Sequence, residues 1–135
     1  MISRRTLVFS FTVGTLLAAA LPVSAKSRAI SLIRMLDTDN DGTVDLAEAK
    51  KAASTLFDKL EHDKDGTLDK RELVGRLSAK ELAAADPDHD GTLTRDEYLA
   101  VVEQRFRAAD SDHDGTLDVK ELNTSVGRAL LRLLR

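Results

Sequence analysis

The sequence predicts an all-α fold in which helices alternate with four copies of one twelve-residue acidic segment. Two observations carry this reading. Apolar residues between the copies recur at helical spacing, i, i+3, i+4 and i+7. The copies keep one register, Asp-x-Asp-x-Asp-Gly-Thr-apolar-x-x-x-Glu, opening at residues 37, 61, 86 and 110. No segment shows the two-residue alternation of a half-buried strand.

The first 25 residues stand apart. Arg4 and Arg5 are followed by an uncharged, mainly apolar run from Thr6 to Leu21, then by Pro22 and the small-residue signature Val23-Ser24-Ala25. That order is expected of a cleavable export signal, with Lys26 as the new N-terminus and a periplasmic or secreted destination. Residues 26–135 are then expected to form a single domain. The chain contains no cysteine, so no disulfide framework staples it. Without Arg4 and Arg5, 18 basic residues face 23 acidic ones, a net charge of −5. Twenty of the acidic residues lie inside the four copies; only Asp58, Glu81 and Glu103 lie outside. Basic residues populate the connecting segments without a stripe of interleaved aromatics, which argues against nucleic acid as a partner.

Taken in order, Ala29, Leu32, Ile33 and Leu36 give a short entering helix. Ala49, Ala52, Ala53, Leu56, Phe57 and Leu60 form one stripe between the first and second copies. Only 12 residues separate Glu48 from Glu61, about 18 Å of helix, too few for two helices and a turn. One helix must therefore leave the first copy and enter the second. The same holds from Tyr98 to Ala109, where Tyr98, Val101, Val102, Phe106 and Ala109 repeat the stripe and Arg105 interrupts it. The middle connector contains Gly75 and then Ser78-Ala79-Lys80-Glu81, a capping box that predicts a bend and a new helix. Asn123, Thr124 and Ser125 predict a restart before a terminal helix, with Val126, Leu130, Leu133 and Leu134 on its apolar stripe.

The copies read DTDNDGTVDLAE, EHDKDGTLDKRE, DPDHDGTLTRDE and DSDHDGTLDVKE. Oxygens at positions 1, 3, 5, 7, 9 and 12 of such a segment can wrap one hard cation, with glycine at position 6 making the sharp turn. The first loop offers Asp37, Asp39, Asp41, the Thr43 carbonyl, Asp45 and Glu48 around Gly42. The second offers Glu61, Asp63, Asp65, Thr67, Asp69 and Glu72. Its position 1 is a glutamate where the shorter aspartate is usual, so this loop is expected to be the weak one. The third offers Asp86, Asp88, Asp90, Thr92, Thr94 and Glu97; threonine at position 9 leaves it four carboxylates. The fourth offers Asp110, Asp112, Asp114, Thr116, Asp118 and Glu121. All-oxygen ligation suits Ca²⁺ or a similarly sized hard cation and excludes soft metals. His62, His89 and His113 fall at positions 2, 4 and 4, where side chains face solvent, so zinc is not expected. Position 8 is Val44, Leu68, Leu93 or Leu117, the residue through which such loops pair. Straight shared helices would pair the first loop with the third; a tight middle bend would pair the second with the third. The sequence leaves both open.

These loops resemble those of the EF-hand superfamily. The export signal, the carboxylate-rich loops and the short shared helices together resemble lanmodulin-like bacterial EF-hand proteins. The likeness extends over FDKLEHDKDGTLDKREL, the bend Gly75-Arg76-Leu77-Ser78, DPDHDGTLTRDEYLA and the closing Leu130-Leu131-Arg132-Leu133-Leu134-Arg135. It implies a compact bundle of short shared helices that binds up to four lanthanide(III) ions. The family's position-9 aspartate falls on Asp45, Asp69 and Asp118, and its position-2 proline on Pro87. A calcium buffer, or a sensor acting on a protein partner, is the alternative. A sensor groove is usually methionine-rich, and Met35 is the single methionine after the signal. No nucleophile–base constellation points to an enzyme.

Overall fold

The computed structural model describes residues 23–135. The features expected of an export signal before Val23 lie outside the described residues. Six helices and four two-residue strands follow in order: α1 (Val23–Leu36), β1 (Val44–Asp45), α2 (Leu46–Leu60), β2 (Thr67–Leu68), α3 (Ala79–Ala85), β3 (Leu93–Thr94), α4 (Arg95–Ala109), β4 (Thr116–Leu117), α5 (Val119–Leu122) and α6 (Ser125–Leu131). The fold is mostly helical, as expected, and the strands form two-residue antiparallel ladders inside the loops. None of the described helices is long and apolar enough to cross a membrane.

The two shared helices are present. α2 runs unbroken from the first loop to the second, and α4 from the third to the fourth. Each begins with a capping box. Asp45 or Thr94 accepts from the backbone N–H of Glu48 or Glu97, whose carboxylate returns to the cap's own N–H. α2 and α4 pack against each other in antiparallel sense, because Lys50 bonds Glu103 at 2.5 Å while Arg95 bonds Ser54 Oγ at 2.6 Å and pairs with Asp58. Phe57 meets Tyr98 edge-on with ring centroids 5.8 Å apart, and the Arg95 guanidinium lies 4.6 Å over the Phe57 ring.

Antiparallel packing fixes loop pairing. The start of α2 lies beside the end of α4, so the first loop meets the fourth; the other ends bring the second to the third. The registers are Val44↔Leu117 and Leu68↔Leu93, joining position 8 to position 8 in both pairs. Pairing of the first loop with the third is not found. The middle connector explains this. Residues 70–76 turn rather than extend a helix, Gly75 adopts φ 78°, and Ser78 caps α3 through the expected box with Glu81. The chain thereby reverses between the second and third loops.

The core is the inner face of these helices together with the four position-8 residues, each fully buried. Ala49, Ala53, Leu56, Phe57, Tyr98, Val102, Phe106 and Ala109 are buried where the periodicity places them. The Arg105 interruption is satisfied by polar partners: its guanidinium donates to the Ala129 carbonyl and to Glu81, both at 2.8 Å. Thr124 caps α6 by accepting from Gly127 N–H at 2.9 Å. The predicted terminal stripe needs one correction. Leu130, Leu133 and Leu134 are buried, but Val126 is exposed. α6 ends at Leu131, so Leu133 and Leu134 reach the core from a tight turn with its own spacing.

Gly127 lets α6 lie directly on α5, since a β-carbon there would fall 2.1 Å from the Glu121 carbonyl oxygen and 2.6 Å from Leu122 Cα. Gly127→Ala should destabilise the protein by about 1–3 kcal/mol, the range for overpacking a tight contact. Thermal unfolding by circular dichroism reads this directly, and an unchanged midpoint would refute the packing. Tyr98 is fully buried, its hydroxyl donates to the Leu133 carbonyl at 2.8 Å, and burial pushes its pKa up to about 12. Its folded pKa exceeds the unfolded value, so its contribution is intact below pH about 10 and is lost as pH rises toward about 12. Tyr98→Phe should flatten that alkaline decline in a melting series, at a cost of about 1 kcal/mol for the missing hydrogen bond.

Candidate metal centre

All four loops adopt one backbone path. Position 4 is left-handed in each, at Asn40, Lys64, His89 and His113 with φ between 58° and 63°. The position-6 glycines follow at φ 83–89°, a region that costs other residues steric strain. The two left-handed residues curl the chain tightly around the centre of the loop. His89 and His113 thus serve the turn and point to solvent, as does His62.

The carboxylates organise each loop from within. Asp37 accepts from three backbone N–H groups, those of Asn40 at 2.5 Å, Asp41 at 3.2 Å and Gly42 at 2.9 Å. Asp86 and Asp110 accept from the equivalent glycines at 2.8 and 3.1 Å. At position 5, Asp41, Asp65, Asp90 and Asp114 each accept both the N–H and the hydroxyl of the position-7 threonine, at 2.7–2.8 Å. Thr43, Thr67, Thr92 and Thr116 therefore spend their hydroxyls inside the loop, and the oxygen each has left for a cation is its carbonyl. At position 9, Asp45, Asp69 and Asp118 accept from the N–H of Glu48, Glu72 and Glu121; Thr94 does the same through its hydroxyl.

Position 12 carries a further constraint. Glu48, Glu72 and Glu121 each accept from the position-2 N–H, of Thr38 at 2.5 Å, His62 at 2.8 Å and Ser111 at 2.8 Å. Their other oxygen accepts from the position-9 N–H. The hydroxyls of Thr38 and Ser111 add a second donor at 3.0 Å. Sequence reasoning did not single out these position-2 groups, although serine and threonine there are the visible signal. Pro87 has no N–H to give, so Glu97 is held from the Thr94 side alone.

Three loops bring carboxylate oxygens together within 4.8 Å: Asp37, Asp39 and Glu48; Asp86, Asp88 and Glu97; Asp110, Asp112 and Glu121. Each set is positions 1, 3 and 12. The remaining named ligands at positions 5, 7 and 9 frame these sets without joining them. Glu61, Asp63 and Glu72 of the second loop form no such set among the described residues. There the longer Glu61 reaches Gly66 N–H at 2.6 Å with one oxygen and makes none of the other position-1 contacts seen at Asp37.

Electrostatics separates the clustered groups. The neighbouring Asp86 carboxylate raises Asp88, and the charges of Asp90 and Glu97 add to it. Asp39 and Asp112 are also raised: backbone bonds from Asp41 and Asp114 pull them down, but desolvation and neighbouring carboxylates outweigh those bonds. Desolvation acts upward on Asp37 and Asp86, yet the loop N–H groups hold both below the usual carboxylate value. Two position-1 oxygens stand out. Asp86 Oδ1 and Asp110 Oδ1 are buried with no hydrogen-bond partner, on residues only 3% and 8% exposed. A buried carboxylate oxygen without a donor is costly, and a cation among its oxygen neighbours is the group that fits.

Comparison with protein families matches residues 30–51 and 101–126 to the family described as EF hand. These segments are similar to EF-hand units. They carry the first and fourth loops with their flanking helices, the pair joined by Val44 and Leu117. Comparison with curated proteins found no match.

The difference between Asp37 and Glu61 yields a direct test. Glu61→Asp should restore the short position-1 ligand and raise the affinity of the second loop for Ca²⁺ by about tenfold or more, the scale of a charge-assisted contact. Calorimetric titration of both proteins checks this, and identical isotherms would dismiss the side-chain-length argument.

Proposed function

We propose that this chain is an exported EF-hand protein that binds hard cations through its four loops, trivalent lanthanides above calcium, and folds as it does so. The observation that carries cation binding is the pair of buried, unpartnered oxygens on Asp86 and Asp110 within three-carboxylate clusters. The second loop is included because its backbone path and position-12 bonds match the others; it fills last.

Preference for a trivalent ion rests on charge. The loops contain 19 expected ligand carboxylates, and attraction to them scales with cation charge. Raised values at Asp39, Asp88 and Asp112 support strong mutual repulsion that a more highly charged ion relieves better. Resemblance to lanmodulin-like proteins points the same way. Calcium buffering is the second reading, favoured by Thr94, which reduces the third loop to four carboxylates. The carboxylates are committed to metal and loop geometry, so the reading is a binding protein and not an enzyme. Export follows from the sequence before Lys26. Cleavage there would trim only the first turn of α1 and spare its buried residues Ala29, Leu32, Ile33 and Leu36.

Repulsion in the metal-free loops and the marginal stability of short helices together favour coupled folding. Chelation should abolish most of the helical circular dichroism signal, and La³⁺ should restore it at a free concentration at least about a hundredfold below that needed of Ca²⁺, a difference of about 2.7 kcal/mol. Equal midpoints would remove the lanthanide preference and leave the calcium reading; full helicity without metal would remove coupled folding.

A further inference from the structure

Outside the loops, arginines gather at one place. Arg28 on α1, Arg128 on α6, and Arg132 and Arg135 in the closing turn line one cavity of about 270 Å³ floored by apolar side chains including Leu122 and Leu131. No acidic residue lines it among the described residues. Among the described residues none of the four guanidiniums makes an ion pair, whereas Arg95, Arg105 and Arg107 each do. Glu81 feels the Arg132 charge but is already taken by Arg105 at 2.8 Å. Arg76 reaches the same closing turn, donating to the main-chain oxygen of Arg135 at 3.0 Å, and its buried Nε has no acceptor among the described residues.

We propose that this arginine-lined cavity binds a small multivalent oxyanion, of the phosphate or polycarboxylate type. Like charges from three segments converge on one cavity with no acidic side chain among its described lining residues, and a multivalent anion is what offsets them. Guanidinium forks match the paired oxygens of phosphate and carboxylate. The apolar floor lowers the local dielectric and strengthens that attraction. The cavity falls just below the span of sites for larger organic ligands, about 300–1,000 Å³, so the ligand is small. Bound there, it would tie α1 to α6 and the closing turn beside the first and fourth loops. The inference does not depend on lanthanide preference, because the cavity contains no loop ligand.

The test uses the full ¹⁵N-labelled chain at a fixed free Ca²⁺ concentration and constant ionic strength in chloride. Sulfate and tricarballylate are titrated separately, and the amide shifts of Asn123 and Arg128 are followed. Saturable shifts are expected with at least one anion. Sulfate alone indicates a phosphate-type ligand and tricarballylate alone a carboxylate ligand. Arg128→Gln with Arg132→Gln should weaken binding by about tenfold or more, while Arg34→Gln, outside the cavity, leaves it unchanged. All three substitutions lie on exposed side chains, and an unaltered helical signal verifies that the variants fold. Shifts that rise linearly with both anions, or that are the same in the double variant, overturn the proposal.

Discussion

The antiparallel contact between α2 and α4 is the constraint from which the rest of the structure follows. Phe57 against Tyr98 anchors it, Arg95 bridges from the start of α4 to the end of α2, and Lys50 with Glu103 closes the other side. Because each helix belongs to two loops, setting one angle places all four. The first and fourth loops are carried to one end and the second and third to the other. The bridges at position 8 then register each pair, and because those residues are also core residues, loop geometry and core packing are a single problem.

This arrangement separates charge as well as loops. Acidic side chains concentrate at the two ends, where N–H groups and position-7 hydroxyls hold them in place. Most basic side chains lie outside the loops, where several bridge helices or gather around the closing turn. Hydrogen bonds satisfy much of each loop's demand, but they leave oxygens at Asp86 and Asp110 that the protein itself does not match. The folded loop is therefore a structure whose hydrogen bonding is complete in its frame and incomplete at its centre. That is the expected condition of a site shaped for an ion, since the donors that could have satisfied those oxygens are turned elsewhere.

Much of this was legible because it is local. Twelve residues between Glu48 and Glu61 permit one helix and no more, and α2 is that helix. Ser78 and Glu81 announce a cap three residues apart, and the cap is there. Loop pairing was not legible, because it depends on which faces of α2 and α4 meet, a contact between residues about forty apart that no local pattern records. Val126 was misplaced for a related reason: the stripe assumed one continuous helix, whereas the turn after Leu131 resets the spacing. At the site, the sequence supplied the ligand types and flagged Glu61. It did not reveal that positions 1, 3 and 12 converge while 5 and 9 are spent on threonine hydroxyls and helix caps, since that division depends on where the backbone N–H groups point.

The two ends are unequal in what an ion there would accomplish. At one end the second and third loops are close in sequence, separated by the Gly75 turn and α3, so joining them closes a short segment. At the other, Val44 pairs with Leu117, and that bridge closes a far longer segment that contains the second and third loops. Loop closure costs more entropy as the loop lengthens, though only logarithmically. The costlier closure coincides with the two loops that possess five expected carboxylates each, an aspartate at position 1 and a three-carboxylate cluster. The shorter closure falls to the loop with Glu61 and the loop with Thr94. Ligand supply thus follows the work of closure, and an ion in the first or fourth loop stabilises α1, α2, α4 and α5 together. One in the second or third acts mainly on the bend between α2 and α4, which Gly75 and the Ser78 cap already shape.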